Sequence, residues 1–242
     1  MSSHEAVAVL SGGMDSTVAV YQLKSHYPDI HLLSFNYGQR HKKELEYAKL
    51  TAEALGFRHD IVDLSGVAKL FSGSSLTDGS VDVPEGHYAE DNMKLTVVPN
   101  RNMIMLSIAF GVAISDKAAI VTTGVHAGDH AIYPDCRPKF IEDLNAALTT
   151  ANEGFTRPGL FVWAPFMNIS KADIVSIGHN LDVPFQNTWS CYKGGEVHCG
   201  ICGTCYERRE AFELANVEDP TQYDPANDKK YHELRKIHHG GN

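Results

Sequence analysis

Apolar residues gather along this chain in short continuous runs, separated by longer stretches with helical spacing. Ala6–Leu10 (AVAVL) is an unbroken apolar run ending at Ser-Gly-Gly, the pattern of a strand buried on both faces. Thr17–Tyr27 then carries apolar residues all round a helical repeat and stops before Pro28. His31–Asn36 (HLLSFN) predicts a second strand. Lys42–Leu55 predicts a helix with Leu45, Ala48, Ala52 and Leu55 on one face and Gly56 as its stop. His59–Leu64 (HDIVDL) predicts a third strand. The order β-α-β-α-β implies an α/β fold with a doubly wound parallel sheet, helices covering both faces.

The second half continues the pattern. Ser72–Asp91 is rich in Gly, Ser and Asp and reads as a long loop, of the kind that is functional or disordered. Asn102–Ser115 predicts a helix apolar nearly all round, hence central. Ala118–Gly124 (AAIVTTG) predicts a fourth strand and Leu160–Ala164 a fifth. Between them Arg137–Asn152 is amphipathic, with Phe140, Ile141, Leu144, Ala147, Leu148 and Ala151 at helical spacing. Ser170 with Asp173 resembles a capping box opening a helix that runs to Leu181. A cysteine-rich segment and a short helix, Tyr206–Ala215, follow. The tail after Pro220 is polar and is expected to be loosely ordered.

Composition narrows the class. With 43% hydrophobic and 21% charged residues, the 242-residue chain matches a soluble globular protein large enough for one sizeable core. A formal charge of −9 argues against a surface built to wrap nucleic acid, while leaving room for a local phosphate site. The start lacks the basic region of a signal peptide. The longest apolar stretch, Met103–Ile114, is shorter than the roughly 20 residues that span a bilayer. No membrane association and a reducing cytoplasm are therefore expected.

The first chemical motif is Ser11-Gly12-Gly13-Met14-Asp15-Ser16-Thr17, directly after Leu10 at the end of the first strand. Ligands of open parallel sheets bind at the carboxyl ends of the strands. Glycines let backbone N–H groups approach an anion, and the following helix N-terminus adds favourable partial charge. Ser11, Ser16 and Thr17 add hydroxyls. The alternative is a plain glycine turn with Asp15 or Ser16 capping a helix. The loop is neither GxxxxGK[ST] nor GxGxxG. It resembles the pyrophosphate loop of ATP pyrophosphatases, in which a substrate oxygen attacks the α-phosphate and pyrophosphate leaves. In that setting Asp15 would serve Mg²⁺ or the loop backbone.

Four of the five cysteines, Cys191, Cys199, Cys202 and Cys205, follow C-x7-C-x2-C-x2-C with glycines between them. Clustering of this kind in a chain without a secretion signal points to a metal rather than to disulfides. Four thiolates suit a closed, structural Zn²⁺ site. Iron–sulfur proteins share C-x2-C-x2-C, but their usual downstream Cys-Pro is missing here. Such a site would pin the segment carrying Trp189, Ser190, Tyr192 and Arg208 against the main domain. His198 beside Cys199 is a competing ligand that four cysteines leave no room for. On this reading residues 1–186 form an ATP-binding α/β domain, and residues 187–242 a zinc-binding segment with a C-terminal helix packed on it.

Taken together, LSGGMDS, FNYGQRH (Phe35–His41), VPNRN (Val98–Asn102), YPDCR (Tyr133–Arg137), SKADIV (Ser170–Val175) and the segment Thr188–Phe212 resemble the 7-cyano-7-deazaguanine synthase (QueC) family over nearly the whole chain. The resemblance implies an adenine-nucleotide α-hydrolase-like fold and a cytoplasmic homodimer. It implies ATP-dependent conversion of 7-carboxy-7-deazaguanine and ammonia to the nitrile, through an adenylated carboxylate and an adenylated amide, without direct contact to nucleic acid. It places Leu10 to Thr17 on ATP. Arg101 and Asn102 match its Arg-Asn pair and would face the phosphates or the purine; they equally suit a helix start. Asp135 and Arg137 would lie at the active edge of the sheet, Arg137 as a fork for the substrate carboxylate. Lys171 would meet developing phosphate charge, or be a solvated lysine at a helix start. Cys136 is a nucleophile or inert filling. Asn100 stands where the family commonly has glycine, and Ala131-Ile132 where it has Ser-Gly. These departures leave an amide-forming variant open. A tRNA thiolase, with an iron–sulfur cluster and a basic RNA surface, and a non-catalytic zinc-ribbon module are the competing readings.

Overall fold

The short apolar runs become strands of one parallel sheet. In the computed structural model, which describes residues 4–40, 42–68, 70, 73–78, 80–87 and 91–239, the strands are β1 (Ala6–Val9), β2 (Ile30–Asn36), β3 (Arg58–Asp63), β4 (Ile120–Thr122) and β5 (Phe161–Trp163). Their order is β3-β2-β1-β4-β5, all parallel. The chain winds outward from β1 to β3, then crosses back to β4 on the other side of β1. The topological switch point therefore lies between β1 and β4, where an open α/β sheet forms its crevice.

The helices are α1 (Met14–Lys24), α2 (Lys43–Leu55), a single turn α3 (Ser65–Ala68), α4 (Arg101–Asp116), α5 (Pro138–Ala151), α6 (Lys171–Asn180), α7 (Gly203–Ala215) and α8 (Asp228–His239). Side chains alternate across the pleat and feed two cores. Val7, Leu33, Phe35, Val121 and Val162 face α4 and α5. Ala6, Ala8, Leu10, Ile30 and Leu32 face α1 and α2. The apolar stretch Met93–Asp116 is long and apolar enough to cross a membrane by composition. It is broken before α4 at Asn100, whose φ is +60°, and Met105, Leu106, Ala109, Phe110 and Ala113 are buried in the first core.

Several boundaries move. Helix α1 begins at Met14 rather than Thr17 and ends at Lys24, because Gly13 is already extended at the N-cap (φ −77°, ψ 164°). The helix expected from Arg137 begins at Pro138, with Arg137 itself extended. Of the loop expected over 72–91, Ser74, Ser75, Leu76 and Val83 are buried. The Ser75 N–H bonds to the Leu95 carbonyl and the Gly86 N–H to the Ile201 carbonyl. These residues are packed, while 72, 79 and 88–90 lie outside the described residues. The tail expected to be loose forms α8. Its Tyr231 is buried against Ile201 and Tyr206, and Arg235 reaches Glu210 at 3.1 Å. Residues beyond 187 are firmly attached: Ala211 and Phe212 of α7 share a core with Met14 and Val18 of α1 and with Ile174 and Val175 of α6.

Candidate active site

The Ser11–Thr17 loop is braced from within. Ser11 and Ser16 hydroxyls lie 2.9 Å apart, the Ser11 N–H donates to Ser16 Oγ at 3.1 Å, and the Gly13 N–H donates to Ser11 Oγ at 3.2 Å. Ser16 and Thr17 hydroxyls both donate to the Gly13 carbonyl, at 3.1 and 2.9 Å. Gly13 has no side chain with which to cap α1, so the first-turn N–H groups are available to an anion. Gly12 is required twice over. Its φ is +85°, and a Cβ there would lie 2.0 Å from the Glu44 carbonyl oxygen. The loop is thereby pressed against the first turn of α2.

This loop floors a cleft of about 200 Å³ at the carboxyl ends of β1, β2 and β4. Its walls carry two largely enclosed cations. Lys171, at the start of α6, sits 3.2 Å from Asp15 and 2.6 Å from Glu207 of α7. Burial opposes its charge, but these carboxylates outweigh burial and raise its pKa. Burial likewise raises Glu207, and Lys171 offsets only part of that. His126 accepts the Gly128 N–H on Nδ1 at 3.1 Å, which leaves Nε2 facing Asp15 at 3.8 Å and Asp129 at 3.7 Å. Arg101, at the start of α4, lies over the Tyr37 ring at 5.6 Å. Burial opposes its charge too, and Tyr37, Tyr192, Tyr133 and Cys136 around it keep its pKa raised. Glu44 lines the same cleft; burial pushes it up to about 7, against the pull of Arg101.

The four clustered cysteines converge. Their sulfurs lie within 4.8 Å of one another. Cys199 and Cys205 sulfurs are 3.9 Å apart, close to the ~3.8 Å edge of a tetrahedron with bonds of ~2.3 Å. The Cys199 N–H points to Cys191 Sγ at 3.4 Å and the Cys202 N–H to Cys199 Sγ at 3.3 Å. This donor set can hold a metal ion. His198 is not part of it: its Nε2 accepts the Ser190 N–H at 3.0 Å, and burial pushes its pKa down to about 3.

The cysteine segment reaches the cleft. The Trp189 N–H donates to the Gly12 carbonyl at 2.9 Å, and Thr204 donates to the Ser190 carbonyl at 2.6 Å. Trp189, Ser190, Tyr192 and Thr204 all line the cleft. Arg208, fully buried, clamps the segment: Nε to Thr221 at 2.8 Å, Nη1 to Thr188 at 2.8 Å and Ser190 at 3.1 Å, Nη2 to the Phe185 carbonyl at 3.0 Å.

Leu10, Ser11, Gly13, Met14, Asp15, Ser16, Arg101, Asn102 and Lys171 line one cleft. Gly12 and Thr17 stand behind it and hold the loop. Lys171 is buried between carboxylates, not solvated. Asp135 lies outside the lining; its carboxylate accepts the Asn102 N–H at 3.1 Å, fixing the start of α4 and with it Arg101. Arg137 is exposed outside the cleft, its Nε donating to the His130 carbonyl at 2.8 Å. Cys136 lines the cleft, its thiol pushed up by burial and by Asp129 and Asp135, a protonated group rather than a ready nucleophile. Sequence reasoning passed over Glu44, His126, Asp129 and Glu207. His126 and Asp129 form a capping box on one short turn, whereas Glu44 and Glu207 come from α2 and α7 and meet the site only through long-range packing.

With the geometry in hand, comparison with known proteins is direct. The family model of queuosine biosynthesis protein QueC matches residues 5–216. The 7-cyano-7-deazaguanine synthase 1 of Mesorhizobium japonicum is 55% identical over 221 residues, 91% of this chain and 94% of the relative. The 7-cyano-7-deazaguanine synthase of Rhizobium meliloti is 55% identical over 220 residues, 91% and 92% of the two chains. That of Ruegeria pomeroyi is 53% identical over 219 residues, 90% and 94%.

Proposed function

This chain belongs to the QueC family of queuosine biosynthesis proteins, and from that premise we infer that it is an ATP-dependent ligase making 7-cyano-7-deazaguanine from 7-carboxy-7-deazaguanine and ammonia. The observation that carries the reading is a pyrophosphate-type loop lining one cleft with Arg101 and Lys171. A carboxylate oxygen attacks the α-phosphorus of ATP and pyrophosphate leaves. Ammonia then displaces AMP and gives the amide. The amide oxygen attacks a second ATP in the same way, and loss of AMP and a proton gives the nitrile. One phosphate cradle serves both activations.

The chain's own groups divide this work. Ser11, Gly13 and Ser16 hold the leaving pyrophosphate through backbone N–H groups and hydroxyls, and Gly12 and Thr17 brace the loop behind them. Arg101 and Lys171 meet charge developing at the α-phosphate, in a cleft where burial strengthens them. Asp135 and Asn102 position Arg101. The carboxylates Asp15, Asp129 and Glu207 surround the Lys171 ammonium and balance it. Asp15 Oδ1 is buried with no hydrogen-bond partner among the described residues, which fits Mg²⁺; when bound, that ion would neutralise charge on the departing pyrophosphate. The four cysteines fit Zn²⁺ in a closed, structural site. A homodimer in a reducing cytoplasm belongs to the same reading, through the family.

The test is incubation of the purified chain with ATP, Mg²⁺, an ammonium salt and 7-carboxy-7-deazaguanine, with products identified by mass spectrometry. Nitrile with AMP is expected. Amide accumulating with AMP would move the enzyme to an amide-forming reaction. No AMP from a folded sample would overturn the assignment.

A further inference from the structure

The end of the sheet opposite the phosphate loop gathers a second group of metal-ligating side chains. His4 precedes β1, His31 is the second residue of β2, and Asp116 closes α4. Parallel pairing of Ala6 with Ile30 brings the two strand starts together. The Ala119 N–H bond to the Glu5 carbonyl holds the exit of α4 beside them. One ring nitrogen of each histidine and a carboxylate oxygen of Asp116 lie within 4.8 Å of one another. All three residues are buried, with 7%, 2% and 9% of their surface exposed.

The hydrogen bonds around the group are those of a site for a cation. His4 Nδ1 pairs with Asp29 at 2.8 Å, and its Nε2 is buried with no hydrogen-bond partner among the described residues. Orphan buried nitrogens are uncommon, since each forfeits the solvation it had in water. His31 has a carboxylate on each nitrogen, Asp116 at 2.6 Å on Nδ1 and Asp60 at 2.9 Å on Nε2. A neutral imidazole has one proton and satisfies one of them as a donor. Of the charged side chains bonded in this group among the described residues, Asp29, Asp60 and Asp116 are opposed by Arg58, 2.7 Å from Asp60. With both imidazoles neutral, three carboxylates and one guanidinium leave two negative charges, the complement of a divalent ion. His31, Arg58, Asp60 and Asp116 also line a recess open to the surface, which gives an ion a way in.

We propose that His4, His31 and Asp116 form a second metal site, taking a divalent transition ion of the zinc class. Two imidazoles and one carboxylate are a donor set for such ions rather than for Mg²⁺ or Ca²⁺. Bonds of about 2.0–2.2 Å put tetrahedral donors roughly 3.3 Å apart, so the three side chains close inward by small rotations. The ion takes the lone pair of His4 Nε2 and that of His31 Nδ1, the single proton of the neutral His31 ring standing on Nε2. Asp29 then accepts the Nδ1 proton of His4 and Asp60 the Nε2 proton of His31. Each histidine is thus oriented by a carboxylate on its far nitrogen, the arrangement that fixes metal-bound imidazoles. The ion staples the first residues of β1 to β2 and α4, at the end of the sheet remote from the cleft.

Elemental analysis of the full chain, dialysed against Zn²⁺ with its cysteine site filled, tests this. The wild type is expected to hold two zinc ions per chain. His4→Gln and Asp116→Asn are each expected to hold one, with the four cysteines still protected from alkylation. Zn²⁺ added beyond the first equivalent should raise the Tm of the wild type and leave that of His4→Gln unchanged. His4→Gln, at the edge of the fold, keeps the test valid where Asp116→Asn fails to fold. One zinc per chain in the wild type, or two retained in His4→Gln, would overturn the proposal.

Discussion

Lys171→Met is the substitution that tests the cleft most sharply. Lys171 lies 3.2 Å from Asp15 and 2.6 Å from Glu207, with about a tenth of its side chain exposed. At ~3 Å and an effective dielectric of about 20, each carboxylate attracts the ammonium by roughly 5 kcal/mol before desolvation is counted. Removing one member of a buried group of charges costs about 3–5 kcal/mol, since the partners stay buried and uncompensated. Urea unfolding at pH 8 should show a loss of that order. The loss should shrink as pH falls, because Glu207, its pKa already raised, takes up a proton first. Adding Glu207→Gln should recover about 2 kcal/mol through the coupling of contacting sites. AMP formation should behave differently. Both variants should lose about 10²-fold in kcat, the effect of removing one donor at a developing charge. If Lys171→Met costs less than about 1 kcal/mol, Lys171 is not holding buried carboxylates together. If the double variant regains turnover, its role is structural alone.

Glu44→Gln should be more stable than the wild type above pH 7 and equal to it near pH 4.5. The folded chain holds a proton on Glu44 up to about 7 against a usual 4.5, so ionisation erodes stability across that window by about 3 kcal/mol, measured by urea unfolding at the two pH values. Gly12→Ala forces a side chain to φ +85° and against the Glu44 carbonyl; a loss of about 2–4 kcal/mol and of measurable ATP binding by calorimetry is expected. Arg208→Leu takes the guanidinium donor from the Thr188, Ser190 and Thr221 hydroxyls, while the Phe185 carbonyl keeps Thr188. It should lower stability by about 3 kcal/mol in thermal or urea unfolding.

The parallel sheet, the loop and the cysteine centre were legible because each is written locally, as an apolar run, a glycine-serine string or a fixed spacing. What stayed hidden depends on long-range placement. Glu207 sits on α7 and meets Lys171 of α6 only once those helices pack. Arg137, in a motif that promised a substrate contact, is turned outward because its N–H is taken by the His130 carbonyl. The tail was expected to be loose because the sequence of α8 is polar, with Tyr231 its buried anchor among the described side chains. Asn100, where the family commonly has glycine, holds φ +60°, a conformation asparagine tolerates better than most residues.

The bond from the Trp189 N–H to the Gly12 carbonyl has a thermodynamic corollary. It joins the backbone of the cysteine segment to the backbone of the anion loop, so order in one is order in the other. Linkage between two binding sites is reciprocal. If an ion among the cysteines tightens nucleotide binding by some factor, nucleotide must tighten retention of that ion by the same factor. A chelator at equilibrium should therefore strip less of the ion when ATP saturates the chain, and the ratio of the two ion affinities gives the coupling between the two sites.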